Sequence, residues 1–279
     1  MKNFKKILAL VLAIGMVFAL AACGGKDENV IKIGTIEGSG MDSLRTEEHD
    51  AHEIEEHKDS SDVTIEFVNY NNLSAALLDL EGGKIVSISL EECTAKYIAA
   101  HNEKFVVHLD EQKIMNYFSM MTLDSNTEVY DILNNAIKEM KADGTLDSLI
   151  ENELKAYINS DPVAKDLPKF DGARTIKIGV TGDVPPMDFV AANGQAAGFN
   201  IALLTEIANR AQVNFELVQI DTGSRPMALS SGKVDAVFWT KSTTCGVCGA
   251  EGTEKIDGAL VTESYFSDYM AGVALKSDK

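Results

Sequence analysis

Three stretches of this chain combine residue types that do chemistry. The first is Glu47-Glu48-His49-Asp50-Ala51-His52-Glu53-Ile54-Glu55-Glu56-His57, where His49, His52 and Glu53 would share one helical face at i, i+3 and i+4. That is a metal-binding spacing, but acidic runs of this kind are ordinarily solvated helix surface, and no metal site is expected. The second is Cys245-Gly246-Val247-Cys248. It reads as a loop after a strand and lacks the helix N-terminus that activates a redox thiol; zinc would need two more ligands, and no second cysteine pair exists. The third is Glu37-Gly38-Ser39-Gly40, a small-residue turn between a strand and a helix beginning near Met41, which offers backbone N–H groups to a ligand. Catalytic signatures are missing. There is no G-x-G-x-x-G, P-loop or G-x-S-x-G, and His101 and His108 are isolated, as surface or strand-end histidines are.

The amino terminus sets the compartment. Lys2, Lys5 and Lys6 precede an apolar run from Ile7 to Leu20, which is the form of a secretion signal over residues 1–22. The run is short for the ~20 residues of a membrane span. It ends in Leu20-Ala21-Ala22-Cys23-Gly24-Gly25, which resembles a bacterial lipobox, so Cys23 is expected to carry lipid and to begin the mature chain, with residues 23–29 as a tether. In an exported protein a local Cys245 to Cys248 disulfide is the simpler reading. The net charge of −18, deeper once the three lysines are removed, argues against nucleic acid or an anionic membrane surface as partner. No cofactor is implied.

The elements that must position these residues alternate between strand and helix. Strands are expected at Val30–Gly34, Val63–Val68, Lys84–Leu90, Tyr117–Leu123, Thr175–Val180, Asn214–Ile220, Val234–Trp239 and Tyr269–Leu275. Helices fall at Leu73–Leu80, Thr94–His101, Val129–Met140, Thr145–Ile158, Phe199–Ala211 and Arg225–Ser231. The Pro162 and Pro168 region, residues 159–172, reads as a surface connection. Such alternation is α/β architecture.

From Thr175 the chain resembles the first lobe of family 3 solute-binding proteins, the amino-acid receptors of ABC transporters. The residues that carry the likeness are Thr175-Ile176-Lys177-Ile178-Gly179-Val180, Pro185-Pro186-Met187-Asp188-Phe189, Gly198-Phe199-Asn200, Ser231-Gly232-Lys233-Val234-Asp235 and Glu263-Ser264-Tyr265-Phe266. The upstream half resembles that family's second lobe through Ile31-Lys32-Ile33-Gly34-Thr35 to Gly40, and its C-terminal helical hairpin through Lys138 to Leu146. Each lobe occurs once and in reversed order. The resemblance therefore implies a two-lobed type 2 periplasmic-binding fold with a hinge, circularly permuted: residues 30–118 as second lobe and 119–279 as first lobe, within which 119–158 are the ancestral C-terminal helices, 159–173 the linker and 174–279 the ancestral beginning. The new ends would then interrupt one hinge crossover, between Lys279 and Val30, and loosen lobe closure.

The same resemblance implies a ligand between the lobes. Trp239, Thr240 and Ser242 would line one side, with Ser39 and Gly40 donating to an anionic group and Glu91 accepting an amine through charge-assisted bonds. Met187 and Phe189 are expected to pack. The family's arginine for an α-carboxylate is missing from Thr243 to Gly249, and its aromatics are replaced by Val184 and Thr222; Arg225 or Lys241 are the substitutes available. The expected function is capture of a small polar, amine-bearing ligand by a monomeric, lipid-anchored, extracytoplasmic protein, for delivery to an ABC permease. It is not expected to be an enzyme. The alternatives are a sensory or scaffold module with an eroded site, and a dehydratase or lyase on the same fold.

Overall fold

In the computed structural model, residues 30–36, 64–110, 113–247, 249, 251–253 and 256–277 are described. The amino-terminal half contains β1 (Val30–Ile36), β2 (Thr64–Tyr70), α1 (Leu73–Glu81), β3 (Ser87–Glu91), α2 (Glu92–His101) and β4 (Phe105–Leu109). Next come β5 (Ile114–Leu123), α3 (Thr127–Asp143), α4 (Thr145–Glu153) and β6 (Thr175–Val180). The remainder is β7 (Asp183–Val184), β8 (Asp188–Val190), β9 (Ala196–Ala197), α5 (Phe199–Ala211), β10 (Asn214–Gln219), α6 (Arg225–Ser230), β11 (Ala236–Cys245), β12 (Glu251–Thr253), β13 (Ala259–Val261) and β14 (Phe266–Leu275).

The strands make two lobes built on one plan. In the amino-terminal lobe β2, β1 and β3 run parallel, and β14 then pairs antiparallel with both β3 and β4. In the carboxyl-terminal lobe β10, β6 and β11 run parallel, and β5 pairs antiparallel with β11 and β14. The full path is β10-β6-β11-β5-β14-β3-β1-β2. The mixed α/β, two-lobed architecture expected from the sequence is thus present.

One expectation is overturned. β14 is not interrupted: Phe266 to Tyr269 pair with β5 in one lobe, and Met270 to Leu275 pair with β3 and β4 in the other. The strand crosses between the lobes intact, so the ground for expecting looser closure is gone. A second crossing runs from the end of β4 to Ile114, whose N–H donates to Asp110 Oδ2 at 3.1 Å. The boundary expected between residues 118 and 119 falls inside β5.

Apolar periodicity explains the packing. Val129, Leu133, Ala136, Ile137 and Met140 recur at helical spacing along α3, are all buried, and share a core with Ile201, Leu204 and Ile207 of α5. α3 stops at Gly144, whose φ of 78° is the left-handed cap that glycine favours. Ile88, Leu80 and Val273 anchor a separate core in the amino-terminal lobe. At Gly198, before α5, φ is 96° and a Cβ would lie 2.6 Å from the Pro186 carbonyl oxygen, so only glycine fits. Among the described residues no helix is long and apolar enough to cross a membrane.

Candidate ligand site between the lobes

A cavity of about 60 Å³ lies between the two lobes. Ile36 at the end of β1, Leu90 and Glu91 at the end of β3, and Leu73 at the start of α1 form one wall. The opposite wall is built from Phe118, Phe238 and Tyr265 with the polar residues Thr181, Asp188, Asn200, Thr222 and Arg225, and with Val184 and Met187. Thr181 follows β6 and Thr222 follows β10, so both lobes present the carboxyl ends of parallel strands to this space, where open α/β sheets bind ligands.

Glu91 is 8 % exposed. Burial pushes its carboxyl pKa above the usual range, with Asp268 adding to the effect; Asn116 and Arg225 pull the other way. Asn116 Nδ2 donates to Glu91 Oε1 at a long 3.4 Å and lies 3.0 Å from Met270 Sδ. Thr243 Oγ1 in turn donates to Asn116 Oδ1 at 2.7 Å. A side chain from the carboxyl-terminal lobe thus touches Glu91 beside the residue at which β14 changes sheets.

Asp188 is held quite differently. Its Oδ2 accepts from Thr181 N–H at 2.8 Å and Thr181 Oγ1 at 3.2 Å, and the Gly182 N–H adds a further bond. Burial raises its pKa; these bonds and the Arg225 charge oppose the rise. Arg225 opens α6 with its charged head desolvated, which lowers its pKa, and Asp188 is the strongest charge acting against that. Two acceptors remain open: Asn200 Oδ1 and Thr222 Oγ1 are buried without a hydrogen-bond partner. Each residue is 4 % exposed. Buried polar atoms left this way are uncommon and call for an explanation.

The lobes also touch directly. Leu73 N–H, at the N-terminus of α1, donates to Asp183 Oδ2 at 3.2 Å. At the rim, Tyr97 Oη donates to Asp161 Oδ1 at 2.5 Å and stacks on His101 with ring centroids 3.9 Å apart. The connection after α4 therefore leans on the amino-terminal lobe.

Of the residues expected to bind ligand, Glu91 lies in the cavity wall. Ser39 and Gly40 lie outside the described residues, although Ile36, just before their turn, lines the cavity. Trp239 and Thr240 are strand residues of β11 opposite Ser119 and Phe118 of β5; their side chains lie outside the description. Ser242 pairs with Tyr117 beyond a bulge and is not in the wall, whereas Phe238 is. Met187, expected only to pack, borders the cavity. Cys23, the residue 47–57 cluster and Cys248 lie outside the described residues. Cys245 is not in a loop: its pairing with Ile114 makes it the last residue of β11, and it is buried. Among the described residues no group of His, Cys, Asp and Glu could hold a metal ion.

Sequence reasoning passed over Asp188 and Asn200 as parts of the cavity. The signal available was the position of each: Asp188 follows the Pro185-Pro186 pair, and Asn200 sits at the start of a helix whose other early residues are apolar.

Residues 176–245 match the model of the bacterial extracellular solute-binding proteins, family 3. At family level this supports a solute-binding protein of ABC import. No curated protein matches the chain. Among solved structures, the chain is similar to a ligand-binding component of an ABC-type import system from Staphylococcus aureus with zinc bound, at 12 % identity and a TM-score of 0.41, covering 88 % of this chain and 66 % of that one. A putative L-cystine ABC transporter from Listeria monocytogenes is similar at 13 % identity and a TM-score of 0.41, covering 90 % and 84 %. A probable amino-acid ABC transporter extracellular-binding protein from Bacillus subtilis gives 12 % identity and a TM-score of 0.40, covering 90 % and 86 %.

Proposed function

We propose that this protein is a lipid-anchored, monomeric receptor on the extracytoplasmic face of a bacterial membrane. It captures a small polar, amine-bearing solute of the amino-acid kind and delivers it to an ABC permease. The observation that carries this reading is the cavity walled by strand ends of both lobes, with Glu91 buried in its wall. A ligand that contacts both walls stabilises the closed arrangement by its contacts to each, which is how hinge closure is driven. A thermal-shift screen with amino acids, polyamines and related metabolites tests it. At least one compound raises the melting temperature of the wild type; no shift with any of them, together with Glu91→Ala indistinguishable from wild type, contradicts it.

The order of the lobes is part of the proposal. The described chain begins at Val30 and β14 ends at Leu275. Ala274 pairs with Ser87, which pairs with Ile33, so these ends lie on the same side of one sheet, roughly two strand spacings of ~5 Å apart. Closely spaced ends at a surface suit a circular permutation. Residues 159–173 then join the ancestral ends, and lipid on Cys23 tethers the molecule. A chain cut in that linker and rejoined from residue 277 to residue 30 is expected to fold and bind the same ligand; loss of folding contradicts the permutation.

The sensory or scaffold alternative would suit a dry, apolar cleft. Glu91, Asp188, Arg225 and two unpaired acceptors speak against it. The enzyme alternative finds no histidine base among the described lining residues: His101 is stacked on Tyr97 and bonded to its carbonyl at 2.8 Å, and His108 is an exposed residue of β4.

A further inference from the structure

The charges of the described lining residues do not balance. Glu91 and Asp188 contribute two carboxylates against the one guanidinium of Arg225 among the described lining residues. Arg225 feels Asp188 more strongly than Glu91, so one guanidinium serves two carboxylates and, among the described lining residues, Glu91 is the less compensated of them. Beside this charge stand the two unpaired acceptors, Asn200 Oδ1 and Thr222 Oγ1, on residues more than nine-tenths buried. A buried charge without a partner is costly, and so is a buried acceptor without a donor. One kind of occupant removes both costs: a cation whose N–H groups reach the open oxygens. An α-amino acid zwitterion does not, because its carboxylate brings back the negative charge that its ammonium cancels, while Arg225 is already engaged.

We propose that the cavity selects a small organic cation, a primary amine or guanidine, that carries no carboxylate of its own. Glu91 supplies the counter-charge from the amino-terminal lobe; Asn200 and Thr222 accept the ligand's N–H groups from the other. This rests on the solute-binding reading above and narrows it from amino acids to their decarboxylated counterparts.

Matched pairs of a neutral zwitterion and its monocationic amine test it: glycine against methylamine, alanine against ethylamine and serine against ethanolamine, each titrated calorimetrically into the full chain. In at least one pair the amine binds tighter than its parent amino acid by tenfold or more, the scale of one charge-assisted hydrogen bond or a desolvated charge. Thr222→Val, which removes an unpaired hydroxyl at nearly constant volume, weakens that binding about tenfold and leaves the ligand-free melting temperature unchanged or higher. Tighter binding of the amino acids overturns this inference while the solute-binding reading stands. No binding by any member of the three pairs overturns the inference as well, and a hit elsewhere in the wider thermal-shift screen then decides the broader reading. A Thr222→Val protein that binds the amine as wild type does removes Thr222 from the site and overturns the donor-acceptor argument.

Discussion

The two lobes share a strand plan and differ in what they bring to the space between them. Their first strands even share a sequence, Ile31-Lys32-Ile33-Gly34 and Ile176-Lys177-Ile178-Gly179, and occupy equivalent places beside two parallel neighbours. Yet the described part of the amino-terminal lobe offers three apolar residues and Glu91, while the carboxyl-terminal lobe offers five polar residues, Thr181, Asp188, Asn200, Thr222 and Arg225, beside five apolar or aromatic ones. The two buried acids embody the contrast. Asp188 is tied by several donors from Thr181 and Gly182 and feels the charge of Arg225, whereas Glu91 has a bond from its own backbone N–H and a long one from Asn116. The first is a structural acid; the second is held in reserve for something that arrives.

Replacing each acid should separate them. Glu91→Gln is expected to cost about 100-fold in affinity for whichever compound the wild type binds, because the ligand loses its counter-charge. Its ligand-free stability should not fall. Asp188→Ala should do the reverse, lowering ligand-free stability by about 3 kcal/mol, since the buried Thr181 and Gly182 donors lose their acceptor. Chemical denaturation checks both, and equal destabilisation by the two variants would erase the distinction.

A smaller effect follows from pH. Burial raises the pKa of Glu91, Asp188 and Asp268 in the folded protein. The fold therefore binds protons more readily than the unfolded chain between the ordinary carboxylate range and the raised values. Ligand-free stability should fall as pH rises through that window, and the loss is complete above it. Affinity for a cation should move the opposite way and weaken as pH falls, as Glu91 takes up its proton. Melting curves against pH, with a shallower slope in Glu91→Gln, check the first; titrations check the second. Smallest is Asp183→Asn. The Leu73 N–H keeps an acceptor but loses a charge at the α1 N-terminus, so affinity should change by no more than about threefold. A large change would make the contact between lobes, and not the cavity wall, the seat of closure.

Much of this was legible beforehand. β6 runs over Thr175–Val180 and α5 over Phe199–Ala211, as periodicity and flanking glycines indicate, because local pattern and tertiary burial agree there. β11 runs past the Val234–Trp239 strand expected from periodicity: Thr240 to Cys245 is a polar run whose strand character comes from its partner β5, more than a hundred residues earlier in sequence. The crossing of β14 was hidden for the same reason, since alternation reveals faces and not which sheet each half joins. Glu91 was found through resemblance. Asn200 and Thr222 could not be, because an unpaired buried oxygen exists only once the surrounding chain has closed around it.

The central claim is that the cavity binds a cation through groups from both lobes. It is tested most directly by measuring thermal shifts of the wild type, Glu91→Gln and Thr222→Val side by side with methylamine, ethylamine, ethanolamine and their parent amino acids. The account predicts that an amine stabilises the wild type and stabilises each variant less. Equal stabilisation of all three proteins, or stabilisation by the amino acids alone, would contradict it.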